Sequence, residues 1–260
     1  EFPGPSFGVA GIRDRLRVDD RPIFCRSMRP AVGLDTETML KINREVLLGG
    51  FDAVKDDELT YDTPRSPFQE RVKKMVEMKQ DVEQQSGKKK LYFANVIDDY
   101  LKSLELAAQA AELGADGVLV SPALQGLSIL SDTARKTDLI IISHNSCSDL
   151  MTRHPGWGVT DKVMARLQCL CGADLVMTPG GAGSDHELPG VTRGFLLGCR
   201  EPFDDTPESL PVFMGGKTPA DIQKCRQSAG SDDFMIIAAS WLDSHEEGIA
   251  AAAAAYLEAV

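Results

Sequence analysis

Short, unbroken apolar runs alternate along the chain with longer stretches whose apolar residues recur every three or four positions. Eight runs stand out: Ile23 to Met28, Phe51 to Lys55, Leu91 to Val96, Gly117 to Val120, Leu139 to Ser143, Leu175 to Thr178, Pro211 to Met214 and Phe234 to Ala239. Runs this short and this apolar fit parallel strands covered on both faces. Helical spacing follows nearly all of them, over Thr36 to Leu48, Phe68 to Gln84, Leu101 to Leu113, Leu127 to Ala134, Thr160 to Cys171, Pro219 to Ser228 and Glu246 to Leu257. The stretch after the sixth run has the weakest helical pattern. Gly49-Gly50, Gly114-Ala115-Asp116 and Gly172-Ala173-Asp174 each end a helix and lead into a strand, glycine supplying a left-handed cap.

Eight β/α units in 260 residues predict a closed (β/α)8 TIM barrel, for which ~250 residues is typical, rather than an open doubly wound sheet. Residues 1–20 read as a lead-in segment and residues 21–260 as the barrel, with no linker dividing them. In such a barrel the chemistry lies at the carboxyl ends of the strands. Candidate residues are therefore sought just after each apolar run.

Composition narrows the partners. With 43% hydrophobic and 26% charged residues the chain is globular rather than disordered. A net charge of −11 repels nucleic acid and anionic membranes, so neither is an expected partner, and Lys88-Lys89-Lys90 reads as a solvated turn. The cysteines (Cys25, Cys147, Cys169, Cys171, Cys199, Cys225) lack zinc-knuckle spacing and read as free, mostly buried thiols of a reducing compartment. No leader peptide or membrane-length apolar run is visible, which makes the cytoplasm the default expectation.

The second strand ends in Lys55-Asp56-Asp57-Glu58. Such a charge run is ordinarily an ion-paired surface cluster, but here it follows a buried strand on the catalytic face. Two carboxylates converging with a third oxygen ligand suit Mg²⁺. A lysine supplies that oxygen only as a carbamate formed with CO₂. A Schiff-base role for Lys55 is the rival chemistry, disfavoured because neighbouring carboxylates hold an amine protonated.

The stretch Gly49-Gly50-Phe51-Asp52-Ala53-Val54-Lys55-Asp56-Asp57-Glu58 resembles the activation motif of the RuBisCO large-subunit superfamily. The resemblance implies a carbamylated Lys55 that binds Mg²⁺ together with Asp57 and Glu58. It runs the length of the chain. Gly4-Pro5-Ser6-Phe7-Gly8 resembles the family's lead-in, Met28-Arg29-Pro30-Ala31-Val32-Gly33-Leu34 its strand-one motif, Ser143-His144 the histidine ending strand five, and Gly215-Gly216 the glycine pair after strand seven. The fold it implies is the barrel domain of the large subunit.

The departures from the family pattern bear on function. Carboxylating members carry lysine-proline-lysine where this chain has Arg29-Pro30-Ala31. Arg29 keeps a positive charge but is a poor proton carrier, with a pKa above ~12. The lysine-bearing loop after strand six reads Gly180-Gly181-Ala182-Gly183-Ser184, a lysine-free candidate lid. Asn145, Met177 and Met214 replace an arginine, a histidine and a serine that bind one of the family's two phosphates. The other phosphate pocket is expected around Gly215 and Gly216, with Ala239 and Ser240 where the family has a second glycine pair. Lys217 reads equally as added charge there or as an exposed loop lysine. His144 is expected to contact a substrate hydroxyl or move a proton. Asn95, Arg153 and His154 are candidate pocket residues, and Trp157 a lid anchor or binding surface.

The resemblance thus implies a RuBisCO-like (form IV) protein without carboxylase activity. Its expected reaction is Mg²⁺-dependent enolisation of a small phosphorylated sugar-derived ketone or keto acid, as an isomerase or decarboxylase. The alternative is a non-catalytic metal-binding barrel or ligand sensor. Family members place an N-terminal domain before the barrel that completes the site of the neighbouring subunit. The chain is therefore expected to be part of a longer protein acting as a homodimer or larger assembly.

Overall fold

The computed structural model describes residues 2–179 and 190–260. Eight parallel strands close into a barrel in sequence order: β1 (Ile23–Ser27), β2 (Ala53–Lys55), β3 (Leu91–Asn95), β4 (Gly117–Val120), β5 (Ile140–Ser143), β6 (Leu175–Met177), β7 (Leu210–Phe213) and β8 (Met235–Ala238). Register pairs such as Cys25 with Ala53 and Ile23 with Met235 join β1 to both neighbours. Every strand residue is buried, as expected for a sheet filled inside and covered outside. The strands match the eight apolar runs to within two residues at each end.

The helices are α1 (Gly8–Leu16), α2 (Thr36–Leu48), α3 (Phe68–Ser86), α4 (Tyr100–Glu112), α5 (Pro122–Gln125), α6 (Ser128–Lys136), α7 (Asp149–Thr152), α8 (Asp161–Leu170), α9 (Val191–Arg200), α10 (Ile222–Ala229), α11 (Ser240–Asp243) and α12 (Ile249–Glu258). A single 3-10 turn, Pro219–Asp221, precedes α10. The weakly patterned stretch after the sixth strand is α9. The last helix begins at Ile249 rather than Glu246, because Gly248 at φ +90° breaks the turn before it and the short α11 intervenes.

Side-chain alternation along the strands sends one set of residues into the barrel and the other into the helix layer. Ile23, Cys25, Ala53, Phe93, Ile140, Leu175, Val212 and Met235 fill the interior. Gly117 fits among them because a Cβ there would meet the Ile140 carbonyl at 2.3 Å and the Phe93 ring at 2.7 Å. The lead-in contributes to this core. Ile12 and Leu16 of α1 are buried against the same interior cluster, while Arg13 pairs with Asp233 and donates to Asp232 O at the amino end of β8. Helix α1 therefore plugs the bottom of the barrel, leaving the opposite mouth open.

The motifs that lead into strands explain part of the closure. Asp52, Asp116 and Asp174 are each fixed just before an even-numbered strand, and each accepts a backbone N–H from the preceding strand: Phe24, Tyr92 and Ile141, at 2.8 to 2.9 Å. The lysine triplet is a correction to the sequence reading. Lys88 and Lys89 are exposed, but Lys90 is buried and its Nζ donates to Phe51 O at 2.5 Å, tying the start of β3 to the loop before β2.

Candidate active site

Continuing the strand alternation by one step places an inward-facing residue at the top of each strand. On β2 that residue is Lys55, on the same side as Ala53 and only 1% exposed. Its Nζ donates to Asp56 O at 2.9 Å and lies 3.9 Å from Glu58 Oε2. Asp57 is buried: Oδ1 accepts the Leu59 N–H at 3.1 Å and Oδ2 accepts the Ser27 hydroxyl at 3.4 Å. Arg29 spans both acids, its Nε 3.0 Å from Asp57 Oδ2 and its Nη2 3.6 Å from Glu58 Oε1.

His144 follows β5 and reaches the same group, with Nε2 3.4 Å from Glu58 Oε2. Its other nitrogen, Nδ1, accepts the Ser146 backbone N–H at 3.1 Å and lies 2.7 Å from the Ser146 hydroxyl. An acceptor role at Nδ1 puts the ring proton of neutral His144 on Nε2, facing Glu58. Lys55, Asp57, Glu58, His144 and Arg29 thus form one cluster.

Burial and charge pull these groups in opposite directions. Burial lowers the Lys55 amine below the ordinary lysine value, against the pull of Glu58 and Asp57. Burial raises the Asp57 carboxyl, helped by the adjacent Glu58 charge. Burial opposes ionisation of Glu58 too, but the hydrogen bond and charge of His144 together with Lys55 hold its carboxyl well below the usual range.

Asp56, the third acid of the run, faces the other way. It is fully buried and accepts from Arg71 Nε at 3.1 Å, the Tyr92 hydroxyl at 3.2 Å and the Asn95 N–H at 3.2 Å. Arg71 in turn donates to Ser66 O at 2.8 Å, so the pair anchors the segment that carries Asp57 and Glu58. Nothing in the charge run itself marks Asp56 for this role. The aromatic and arginine partners come from β3 and α3.

The cluster opens into a cavity of about 520 Å³ at the barrel mouth, lined by Ser27, Arg29, Lys55, Glu58, His144, Asn145, Ser146, Met177, Met214, Gly215, Gly216, Ile237, Ala239 and Ser240. Gly215 and Gly216 both have positive φ, and a Cβ at either would meet nothing within 4 Å, so their backbone faces open space. Two anticipated pocket residues lie elsewhere. Asn95 is buried beneath the mouth, where its amide donates to Glu58 O and Thr60 O at 3.2 Å and its carbonyl accepts the Ile97 N–H. Lys217 is 3% exposed and absent from the cavity wall. Its carbonyl accepts the Tyr256 hydroxyl at 2.6 Å. Arg153, His154 and Trp157 border a separate cavity of about 770 Å³, with Arg153 paired to Asp161 at 2.9 Å. Gly180, Gly181 and Gly183, the candidate lid, lie outside the described residues. Ser27 and Ser146, not singled out from sequence, lie on the wall; the step from Cys25 to Ser27 along β1 would have found the first.

Among the described residues, no group of three or more His, Cys, Asp or Glu side chains is arranged to hold a metal ion. Glu58 offers a carboxylate on the cavity wall, and Asp57 lies buried beside it, both in contact with Arg29. A hard cation wants more oxygen than that, and the donor set fits only if Lys55 contributes an oxygen as well.

Comparison with known proteins identifies the family. A family model described as "Ribulose bisphosphate carboxylase large chain, catalytic domain" matches residues 8–260. A ribulose bisphosphate carboxylase-like protein of Allochromatium vinosum is 32% identical over 99% of this chain and 56% of its own length. A 2,3-diketo-5-methylthiopentyl-1-phosphate enolase of Geobacillus kaustophilus is 30% identical over 100% of this chain and 63% of its own length. The crystal structure of a rubisco-like protein from Alicyclobacillus acidocaldarius matches with a TM-score of 0.91 at 29% identity, covering 100% of this chain and 66% of that one. The chain thus spans between 56% and 63% of the length of these curated relatives. With the family model spanning nearly every residue and the cluster around Lys55 assembled at the barrel mouth, the chain belongs to the RuBisCO large-chain family, and within it to the RuBisCO-like proteins.

Proposed function

We propose that this barrel carries the active site of a non-carboxylating enzyme that enolises a small phosphorylated sugar-derived ketone or keto acid. In this reading Asp57, Glu58 and a carbamate on Lys55 hold Mg²⁺. The observation that carries it is the convergence of a buried lysine, the Glu58 carboxylate and a histidine on one cavity at the barrel mouth, with Asp57 buried beside them and joined through Arg29. Bound Mg²⁺ would supply Lewis-acid polarisation of a carbonyl oxygen.

The chain's own residues supply the rest. His144 Nε2, oriented by Ser146, can give or take a proton at a substrate hydroxyl. The open backbone of Gly215 and Gly216 can cradle one anionic group. Met177, Met214 and Ile237 form an apolar stretch of wall, where a second phosphate would be buried without partners at large cost. A ligand with one phosphate and one less polar end fits that division. The Geobacillus relative is named for a monophosphate carrying a methylthio group, a substrate of this shape. Ala31 in place of a lysine and the lysine-free sequence at 180–184 leave CO₂ without positioning charges. The full-length protein is proposed to act as a homo-oligomer in which a further domain covers the mouth.

The test uses the full-length protein with Mg²⁺ and bicarbonate in deuterated water, screened against monophosphorylated ketoses and keto acids. Deuterium should enter at the carbon next to a carbonyl, and Lys55→Ala should abolish it. Labelled bicarbonate with ribulose bisphosphate should give no labelled phosphoglycerate. Carboxylation near ordinary enzyme rates of ~1 per second would overturn the reading.

A further inference from the structure

Arg29 closes over both candidate metal carboxylates from the solvent side. Its side chain stays 44% exposed while its guanidinium contacts Asp57 and Glu58. Every carboxylate oxygen of the pair is engaged. Leu59 N–H holds Asp57 Oδ1, and Ser27 and Arg29 share Oδ2. Arg29 also faces Glu58 Oε1, with His144 and Lys55 at Oε2. With Lys55 an ammonium and His144 uncharged, the two acids are balanced by Lys55 and Arg29 and the cluster is neutral.

A divalent ion bound to these oxygens sits ~2.1 Å from each, which brings it close to the guanidinium. Like charges at that separation repel strongly even near a protein surface. Carbamylation of Lys55 changes the balance in the other direction. It replaces one positive charge by one negative charge, taking the cluster from neutral to two negative while Arg29 remains.

We propose that Arg29 is an internal counter-ion of Asp57 and Glu58, one that competes with a divalent cation for these carboxylates and swings off them when the cation binds. The inference rests on the reading of Lys55, Asp57 and Glu58 as the metal set. The geometry allows the exchange. Among the described residues the guanidinium has no ion-pair partner besides these two acids, and its partly exposed side chain has an exit into the mouth. Once displaced there, it lines the same cavity as Gly215 and Gly216, two strands away around the barrel, and can face an anionic ligand. Asp57, by contrast, stays fixed by Leu59 and Ser27. Arg29 is then a competitor of the metal for its carboxylates, and a specificity residue for the anion.

Calorimetric Mg²⁺ titration of the full-length protein at saturating bicarbonate tests this with wild type, Arg29→Gln and Arg29→Lys. Arg29→Gln should bind Mg²⁺ about tenfold more tightly than wild type. Arg29→Lys should fall between them, because a point charge lacks the fork that spans two acids. Thermal melts should show all three folded, the side chain being partly exposed. Equal or weaker binding by Arg29→Gln would overturn the counter-ion role and leave the metal site standing. Absence of bicarbonate-dependent Mg²⁺ binding in all three proteins would overturn both.

Discussion

Lys55 is a charged side chain at the top of a filled barrel, and its neighbours account for its presence there. Burial disfavours its ammonium, while Asp57, Glu58 and the Asp56 carbonyl compensate in part. His144 matters to the cluster because it restrains Glu58 from across the mouth. Replacing it with asparagine should cost ~10²- to 10⁴-fold in proton exchange, the usual worth of a positioned acid or base, with Mg²⁺ affinity changed by less than about tenfold. Exchange rates measured beside metal titrations decide this, and unchanged exchange would make His144 structural. Lys55 and His144 could be placed from sequence because each ends an apolar strand, and strand alternation fixes which way such a residue points. Asn95 and Lys217 could not. Asn95 also ends a strand, but its amide is claimed by carbonyls of the segment after β2. Lys217 is buried, with its carbonyl held by the Tyr256 hydroxyl of α12, and no local pattern encodes that choice.

At the scale of elements, eight strands were legible because buried parallel strands are nearly pure apolar runs. Helix α1 was not, since only Val9, Ile12 and Leu16 among its nine residues are large and aliphatic. Its helical character follows from docking on the barrel floor. Lys90 was misread for a related reason: three successive lysines resemble a solvated turn, yet the third lies directly before β3, its N–H donating to the Glu83 carboxylate and its ammonium to Phe51 O. Burial lowers the Lys90 amine to about 8. Between that pH and the ordinary lysine value the unfolded chain holds a proton that the folded protein has released. Stability should therefore rise with pH across this window, by up to roughly 3 kcal/mol, and be lost as pH falls through the folded value. Denaturant melts of wild type and Lys90→Met at pH 7.5 and 9.5 isolate the effect. Wild type should gain on the variant as pH rises, and a constant difference would contradict the burial argument.

For the whole molecule, closure of the barrel gathers residues separated by up to roughly two hundred positions around one mouth, with α1 sealing the other end. Sequence order predicted that gathering, because the active face of such a barrel is set by strand direction. The closing ion-pair network among Arg29, Asp57, Glu58 and His144 emerges only in three dimensions, since it joins three segments, the ends of β1, β2 and β5. Among the described residues no helix is long and apolar enough to cross a membrane. The central claim is that Lys55 gains a CO₂-derived oxygen to complete a metal site. It is tested most directly by measuring Mg²⁺ affinity of the full-length protein at zero and at saturating bicarbonate, with Lys55→Arg as the control. Affinity should rise with bicarbonate in the wild type and stay negligible in the variant. Equal wild-type affinities at the two bicarbonate concentrations would contradict the carbamate and the function built on it.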